Sequence, residues 1–116
     1  MVLSEIELKR CQKDIEAFLA ARRLAAHIRS DLDVDCRIDG QNVEVVEIRP
    51  AYHGDPSIKH NTPIARATFV RTIGRWRVFW MRQDLRWHSY QPKAEVNTLK
   101  EFLNVVDRDE HSCFWG

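Results

Sequence analysis

Apolar and polar positions alternate through residues 64–92, with turn-forming residues at two points. Side chains of a β-strand point alternately to the two faces of a sheet, so a period of two predicts strands. We expect three antiparallel strands here, joined by two-residue turns at Ile73-Gly74 and Gln83-Asp84. Gly74 favours the first turn because glycine adopts positive φ without a steric penalty.

The two turns determine which side chains share a face of the predicted sheet. Ala67 would lie opposite Trp80, Phe69 opposite Val78, and Trp80 opposite Trp87. One face is then apolar and is expected to cover the core: Ala65, Ala67, Phe69, Trp76, Val78, Trp80, Leu85 and Trp87. The other face is basic and partly aromatic: Arg66, Thr68, Val70, Thr72, Arg75, Arg77, Phe79, Met81, Arg86, His88 and Tyr90. An error of one residue in either turn would exchange members between the faces.

Amphipathic helices are predicted at both ends of the chain. Ser4 and Glu7 have the spacing of a capping box, and apolar residues at helical spacing follow over residues 4–23. A second helix is expected to begin near Pro92-Lys93. Its apolar positions are Val96, Leu99, Phe102, Leu103 and Val106.

A β-hairpin and a long loop are predicted between the first helix and the three strands. Residues 32–38 and 42–49 form the hairpin, with a turn signal at Asp39-Gly40. The phase of the alternation changes at Val45-Val46, which indicates a bulge. Residues 51–63 then form a loop of a length that is often mobile or functional.

These elements predict an α+β fold in a single domain over residues 1–116. An antiparallel sheet of about five strands, made of the hairpin and the three-stranded meander, needs cover on one face. The N- and C-terminal helices can supply it by packing on the same face.

The composition favours a cytoplasmic protein and leaves its partner open. Lys and Arg number 18 against 17 Asp and Glu, so an electrostatic partner would have to meet a local patch. No apolar run approaches the roughly 20 residues of a membrane span, and the N-terminus lacks the pattern of a signal peptide. Cys11, Cys36 and Cys113 are expected to be reduced thiols.

The basic and aromatic sheet face is the best candidate for a binding site. Its arginines could neutralise phosphates while its rings stack on bases, as single-strand-binding sheets do. The alternative is a solvated face, or one that a partner covers. Nucleic acid, another protein and a second copy of the chain remain open as partners. The expected binding residues are Arg66, Arg75, Arg77, Phe79, Arg86, His88 and Tyr90.

We expect a non-catalytic module, but two alternatives remain. Asp39, Glu47 and Arg49 faintly resemble the Asp…Glu-x-Lys pattern of metal-dependent nucleases, in which two carboxylates share a divalent ion. Arg49 replaces the lysine and stays charged, so it is a poor proton shuttle. The other alternative is an interaction module whose aromatic tail, Phe114 and Trp115, anchors a protein partner instead of docking on its own core.

No cofactor and no metal are expected. His53, Asp55 and His60 in the long loop lack the spacing of a strong metal motif. Cys113 stands two residues from His111, but no third orienting group for a nucleophile is evident.

Several short motifs carry a resemblance to a known family. They are Gly40-Gln41, Glu47-Ile48-Arg49-Pro50, Trp76 with Trp80, Arg82 with Asp84, Trp87-His88-x-Tyr90-x-Pro92, and Asp109 followed by Cys113-Phe114-Trp115-Gly116. Over most of its length the chain resembles a family of small bacterial proteins described only as domain of unknown function 3024. Trp115 stands where that family more often has Phe. The resemblance implies a bacterial cytoplasmic domain and carries over no catalytic or binding residue.

Overall fold

Two helices and six antiparallel strands make up the part of the chain described by the computed structural model, residues 3–26, 33–50 and 59–115. Helix α1 spans Glu5–Ala26 and helix α2 Leu99–Arg108. The strands are β1 Asp33–Asp39, β2 Asn42–Pro50, β3 Lys59–Val70, β4 Arg75–Met81, β5 Trp87–Ser89 and β6 Glu95–Val96. The sheet order is β1-β2-β3-β4-β5, with β6 beside β4 as well. The α+β fold class is confirmed.

Helix α1 begins where the sequence predicts. The Ser4 hydroxyl accepts the Glu7 N–H at 3.2 Å, and the Glu7 carboxylate accepts the Ser4 N–H at 2.8 Å, which completes the capping box. Arg71, in the turn after β3, places its guanidinium 2.9 Å from the same carboxylate. This contact ties the start of the helix to the sheet.

Helix α2 begins later than predicted, after a second capping pair. The Thr98 hydroxyl accepts the Glu101 N–H at 3.2 Å, so the helix starts at Leu99. Pro92 lies instead in a 3₁₀ turn, Gln91–Lys93. Strand β6 follows this turn and continues along the edge of β4 that β5 has begun.

Both helices pack on one face of the sheet, which we call the covered face. Their apolar residues join those of the strands in one hydrophobic cluster. Helix α1 contributes Cys11, Ile15, Phe18 and Leu19, helix α2 contributes Leu99, Phe102, Leu103 and Val106, and the sheet contributes Val34, Val43, Val45, Ala65, Ala67, Trp76 and Val78.

The turn between β3 and β4 is longer than predicted but preserves the predicted faces. Residues 71–74 form a four-residue turn that ends at Gly74, with φ of +62°. Phe69 is therefore opposite Trp76, and Ala67 is opposite Val78. The register has moved by two residues, and a shift of two leaves every side chain on its predicted face.

The turn between β4 and β5 differs from the prediction by one residue, and this exchanges faces. Leu85 adopts φ of +62° and adds a residue to the turn, so Trp80 is opposite His88 and Met81 is opposite Trp87. The predicted core position of Trp87 is wrong, since it lies on the other face. Leu85, also predicted in the core, is 79% exposed.

A bulge occurs at the predicted position, beside Val45-Val46, but it is on β3 and not on β2, whose pairing with β1 is regular. Val45 is opposite Ala65 but Val46 is opposite Pro63, so Ile64 is the extra residue on β3. A proline inside a strand is tolerated beside such a bulge. Residues 59–63 are therefore strand where a loop is predicted, and residues 51–58 of that loop lie outside the described part of the chain.

Candidate binding surface

The face of the sheet opposite the helices, called the open face here, carries a mixed set of side chains. The buried residues of α1 and α2 whose side chains the structure describes all belong to the cluster of the covered face. The strand register assigns to it Asp33, Asp35, Arg37 and Asp39 of β1, Asn42, Glu44, Val46 and Ile48 of β2, Asn61, Pro63, Arg66, Thr68 and Val70 of β3, Arg75, Arg77, Phe79 and Met81 of β4, Trp87 and Ser89 of β5, and Glu95 of β6.

Two rows of side chains cross the open face from β1 to the far edge. The first row runs Asp39, Asn42, Thr68, Arg77 and Glu95. Within it the Thr68 hydroxyl donates to Asn42 Oδ1 at 2.6 Å, and Arg77 Nε lies 4.0 Å from the Glu95 carboxylate.

The second row runs Arg37, Glu44, Arg66, Phe79 and Ser89. Arg66 Nε lies 3.9 Å from the Glu44 carboxylate, and the Arg66 guanidinium carbon lies 5.3 Å from the centroid of the Trp87 ring. Charges of opposite sign therefore alternate along this row.

The open face is not uniformly basic, which corrects the sequence-based expectation. Carboxylates stand in register with two of the predicted arginines, Arg66 and Arg77. The balance of the two signs also differs across the sheet. On β1 the aspartates Asp33, Asp35 and Asp39 accompany a single arginine, Arg37, whereas β4 contributes Arg75 and Arg77.

An apolar patch occupies the part of the open face formed by β4 and β5. Phe79, Met81 and Trp87 are each half-buried, and Met81 is paired directly with Trp87. Val46, on β2, is buried but lies outside the core cluster. The face therefore combines aromatic and aliphatic area with charged neighbours.

Arg66 has an unusual environment at the centre of this face. Its side chain is 29% exposed, yet its Nε is buried and has no hydrogen-bond partner. Because Glu44 is 3.9 Å away, it supplies attraction without a hydrogen bond of ordinary length. Buried donors in folded proteins nearly always have an acceptor, so this group is an exception that needs an explanation.

The predicted binding residues do not all lie together. Arg66, Arg75, Arg77 and Phe79 share the open face, and sequence reasoning missed Trp87, which belongs with them.

The remaining predicted binding residues lie elsewhere. Arg86 lies in the β4–β5 turn, and His88 and Tyr90 lie on the covered side of the sheet. Tyr90 is 2% exposed, and its ring centroid is 4.8 Å from that of Phe114. The Nε2 atom of His88 is 2.8 Å from an Asp84 carboxylate oxygen, and this contact lowers the pKa of Asp84.

A family model described as "Domain of unknown function (DUF3024)" matches residues 3–116 of the chain. The chain belongs to this family. No curated protein and no solved structure shows significant similarity to it. Membership of the DUF3024 family therefore assigns no activity to the chain.

The carboxylates of the nuclease hypothesis are far apart in this DUF3024 member. Asp39 is opposite Asn42 at the end of the hairpin, whereas Glu47 is opposite Val34, five residues further along the ladder. Odd and even residues of a strand face opposite ways, so Asp39 and Glu47 lie on different faces. Glu47 is 8% exposed and forms an ion pair with Arg49. The two carboxylates cannot share one ion.

The C-terminal motif of this DUF3024 member has a structural role. The Asp109 carboxylate accepts the N–H groups of Cys113, Phe114 and Trp115 at 2.8, 3.1 and 2.9 Å. The Trp115 indole donates to the Val106 carbonyl at 2.7 Å. Phe114 is buried in the core cluster, so the aromatic tail docks on its own domain.

Two of the three thiols, those of Cys11 and Cys113, are poorly suited to nucleophilic chemistry. Burial raises the pKa of Cys11 to about 11 and also raises the pKa of Cys113. A thiol must lose its proton to act as a nucleophile or metal ligand. Within the described ranges, no group of three His, Cys, Asp or Glu side chains could hold a metal ion. His60 is exposed on β3, and His53 and Asp55 lie outside those ranges.

Among the residues described, neither α1 nor α2 is long and apolar enough to cross a bilayer.

Proposed function

We propose that the protein is a non-catalytic binding module whose working surface is the open face. The observation that carries this proposal is the half-buried group of Phe79, Met81 and Trp87 on the face opposite the core cluster that the described helix residues join. The solvated face of an antiparallel sheet normally carries polar side chains. Apolar area rimmed by charged residues is typical of a surface that a partner covers.

Arg66 supports the same proposal. Its buried Nε donor has no acceptor, although Glu44 and Trp87 both lie near the guanidinium. A partner that brings an acceptor to this position would satisfy the donor and remove its desolvation cost. Aromatic residues, Met and Arg are also the residue types that are enriched at protein interfaces.

The charges favour a protein partner over a nucleic acid. Arg66 and Arg77 each have a carboxylate close by, and the β1 side of the open face is acidic. A nucleic acid gains affinity from cations that neutralise its phosphates, which requires a local excess of positive charge. A face that carries both signs is suited to a protein with the complementary arrangement.

Photo-crosslinking tests the proposal. The photoreactive amino acid p-benzoylphenylalanine replaces Phe79 in the cells that naturally produce the protein, and adducts are separated by mass after irradiation. The matched control carries the same amino acid in place of Gln12, an exposed residue of α1. We expect a discrete protein adduct from position 79 and none from position 12. The absence of an adduct at position 79, or the same adducts at both positions, would contradict the proposal.

A titration against single-stranded DNA and RNA at two salt concentrations tests the choice of partner. We expect no salt-sensitive change in fluorescence anisotropy. Binding that weakens with salt and with Arg75→Ala and Arg77→Ala would instead assign the face to nucleic acid.

A further inference from the structure

We infer that the partner of the open face is a second copy of the chain, packed face to face about a two-fold axis parallel to the strands. This inference rests on the proposed function and specifies its partner. It is carried by the register of the open face, in which rotation about that axis brings Asp39 to the partner's Arg77 and Glu44 to the partner's Arg66.

The charged residues of β1 and β4 distinguish the two simple orientations of such a dimer. In a two-fold dimer the same surface patch is used by both copies. An axis perpendicular to the strands would set β1 over β1, where three of the four open-face residues are aspartates. An axis parallel to the strands, between β2 and β3, sets β1 of one copy over β4 of the other. The mainly acidic strand β1, in which Arg37 accompanies Asp33, Asp35 and Asp39 on the open face, then faces the strand that carries Arg75 and Arg77. Only Asp39 and Arg77 of these lie at the same height, because Asp33 and Asp35 are in register with the Met81 end of β4.

The row that contains Asp39 and Arg77 forms complementary contacts across this axis. Rotation about an axis parallel to the strands preserves the height of a residue along them. Because Asp39 and Arg77 belong to the same row, Asp39 meets the partner's Arg77. The same rotation sets Asn42 over the partner's Thr68, which are two polar groups able to form hydrogen bonds.

The row that contains Arg66 also forms complementary contacts across this axis. Here the rotation sets Glu44 over the partner's Arg66 and Arg37 over the partner's Phe79. The Arg66 Nε that lacks an acceptor would then lie near a second carboxylate. A guanidinium over an aromatic ring is also favourable. The register therefore aligns several contacts of the right chemistry at once.

The packing of sheets allows this arrangement. Stacked sheets cross at about 30°, and strands are about 4.8 Å apart. β1 and β4 each lie one and a half strand spacings, or about 7 Å, from the axis. Because the two sheets cross at about 30°, a residue of β1 and the partner residue of β4 that faces it are displaced along the strands by about 4 Å. An Arg side chain can span that shift. With the axis between β2 and β3, the four strands β1 to β4 overlap, and at about seven residues each they cover on the order of 450 Å² per copy, which is in the range of weak, transient interfaces. We therefore expect a dimer that dissociates on dilution.

Sedimentation velocity over a wide range of concentrations tests the inference. We expect the wild-type protein to shift from monomer to dimer as its concentration rises. Asp39→Arg should place Arg against Arg at both symmetric contacts, and Arg77→Asp should place Asp against Asp. Each variant should lose about tenfold or more in dimer affinity.

A mixture of the two variants is the decisive sample. In a heterodimer of Asp39→Arg with Arg77→Asp, both symmetric contacts again join opposite charges, so dimer should form in the mixture although neither variant forms it alone. This recovery also shows that both variants are folded. Glu16→Arg and Lys100→Asp, which change exposed charges on the two helices, are matched controls and should dimerise like the wild type.

Two outcomes would overturn the inference. One is a wild-type protein that is monomeric at every concentration, and the other is a dimer that the reversals and the mixture leave unchanged. If either occurs while Phe79 still crosslinks to a protein of different mass, the open face remains a binding surface for another partner. If crosslinking also fails, the proposed function fails with it.

Discussion

Leu85 shows how a single residue sets the register of this sheet. Its φ of +62° places a leucine in the left-handed region, where most side chains meet steric strain. A type I turn followed by a left-handed residue makes a three-residue hairpin loop, and glycine is the usual residue at that position. Because leucine stands there, the sequence gives no sign of the extra residue. Trp87 and Tyr90 are consequently assigned to the wrong faces.

We predict that Leu85→Gly stabilises the protein. Relief of left-handed strain is worth about 1–2 kcal/mol, and the greater freedom of glycine in the unfolded chain costs about 0.5–1 kcal/mol. The free energy of unfolding, measured by urea titration with tryptophan fluorescence, should rise by about 0.5–1 kcal/mol. The matched control is Gln83→Gly in the same turn, where φ is not positive. That variant should be less stable than the wild type, and an equal gain from both would refute the explanation.

Glu7 gives the stability of the protein a defined dependence on pH. The hydrogen bond from Arg71 lowers the pKa of Glu7 from 4.5 to about 2. A carboxylate with a lowered folded-state pKa stabilises the fold above the unfolded value, and this contribution is lost as pH falls through the folded value. The loss should therefore occur between about pH 4.5 and pH 2.

We predict that Glu7→Gln removes this part of the pH dependence. Wild type and variant should differ in free energy of unfolding at neutral pH, and the difference should shrink as the pH falls towards about 2. Gln can still serve the capping box, so the comparison isolates the ion pair with Arg71. Urea titrations at a series of pH values measure the difference, with Glu5→Gln as a control that leaves the pair intact. A constant difference across the series would contradict the assignment.

At the scale of elements, the tail and helix α2 behave as one unit because of Asp109. Its carboxylate accepts three successive backbone donors of the tail, and the Trp115 indole returns to Val106 on the helix. Arg22 of α1 then lies over the Trp115 ring, 4.1 Å from its centroid. The tail thereby connects the two helices.

We predict that Asp109→Ala destabilises the protein by about 2–3 kcal/mol, because several hydrogen bonds to a charged acceptor are lost at once. Asp109→Asn keeps one oxygen acceptor and should fall between the alanine variant and the wild type. Chemical unfolding measures both values. Asp107→Ala, on the exposed side of the same helix, is the control and should cost at most about 1 kcal/mol through its ion pair with Arg22. Similar losses at both positions would show that Asp109 has no special role.

The elements that the sequence predicts well are those whose signals are local. The Ser4 and Glu7 capping box places the start of α1. The phase break at Val45-Val46 marks the position of the bulge along the sheet but not its strand, because the extra residue, Ile64, is on β3. Thr98 and Glu101 have the same capping-box spacing at the start of α2. The preference of proline for the first turn of a helix nevertheless led to a predicted start near Pro92, which is too early. Strand β6 is two residues long and is made by pairing with β4, so no local period could reveal it.

The candidate surface is harder to predict because it depends on relations between strands. Alternation places Arg66, Arg75, Arg77 and Phe79 on one face, and a shift of two residues in the β3–β4 register did not move them. The sequence cannot show that Glu44 and Glu95 would stand in register with two of these arginines. Glu44 on β2 and Glu95 on β6 are placed beside these arginines by strand pairing, and they give the face a mixed charge.

At the scale of the whole molecule, one hydrophobic cluster joins both helices to the covered face. Cys11 lies in that cluster at 3% exposure, with a thiol pKa of about 11. Its reactivity therefore reports on the opening of the core as a unit, whereas Cys36 and Cys113 are only half-buried.

We predict that Cys11 is protected from a thiol reagent at pH 8 in the native protein. A thiol with a pKa of about 11 is ionised in only about one molecule in a thousand at that pH, and burial limits access further. Mass spectrometry of peptides after timed labelling should show Cys11 reacting last. All three cysteines should react at similar rates above the urea midpoint. Early labelling of Cys11 would mean that α1 detaches from the sheet independently.

Strand β4 has two short partners along one edge, β5 and β6, with the 3₁₀ turn between them. These partners offer three and two residues, so that border of the sheet presents no long row of free backbone donors and acceptors. On the opposite border, charged aspartates alternate along β1. Such features discourage the strand-by-strand growth from which amyloid and other aggregates arise. The apolar patch of Phe79, Met81 and Trp87 therefore lies on a sheet whose two borders give little opportunity for polymerisation.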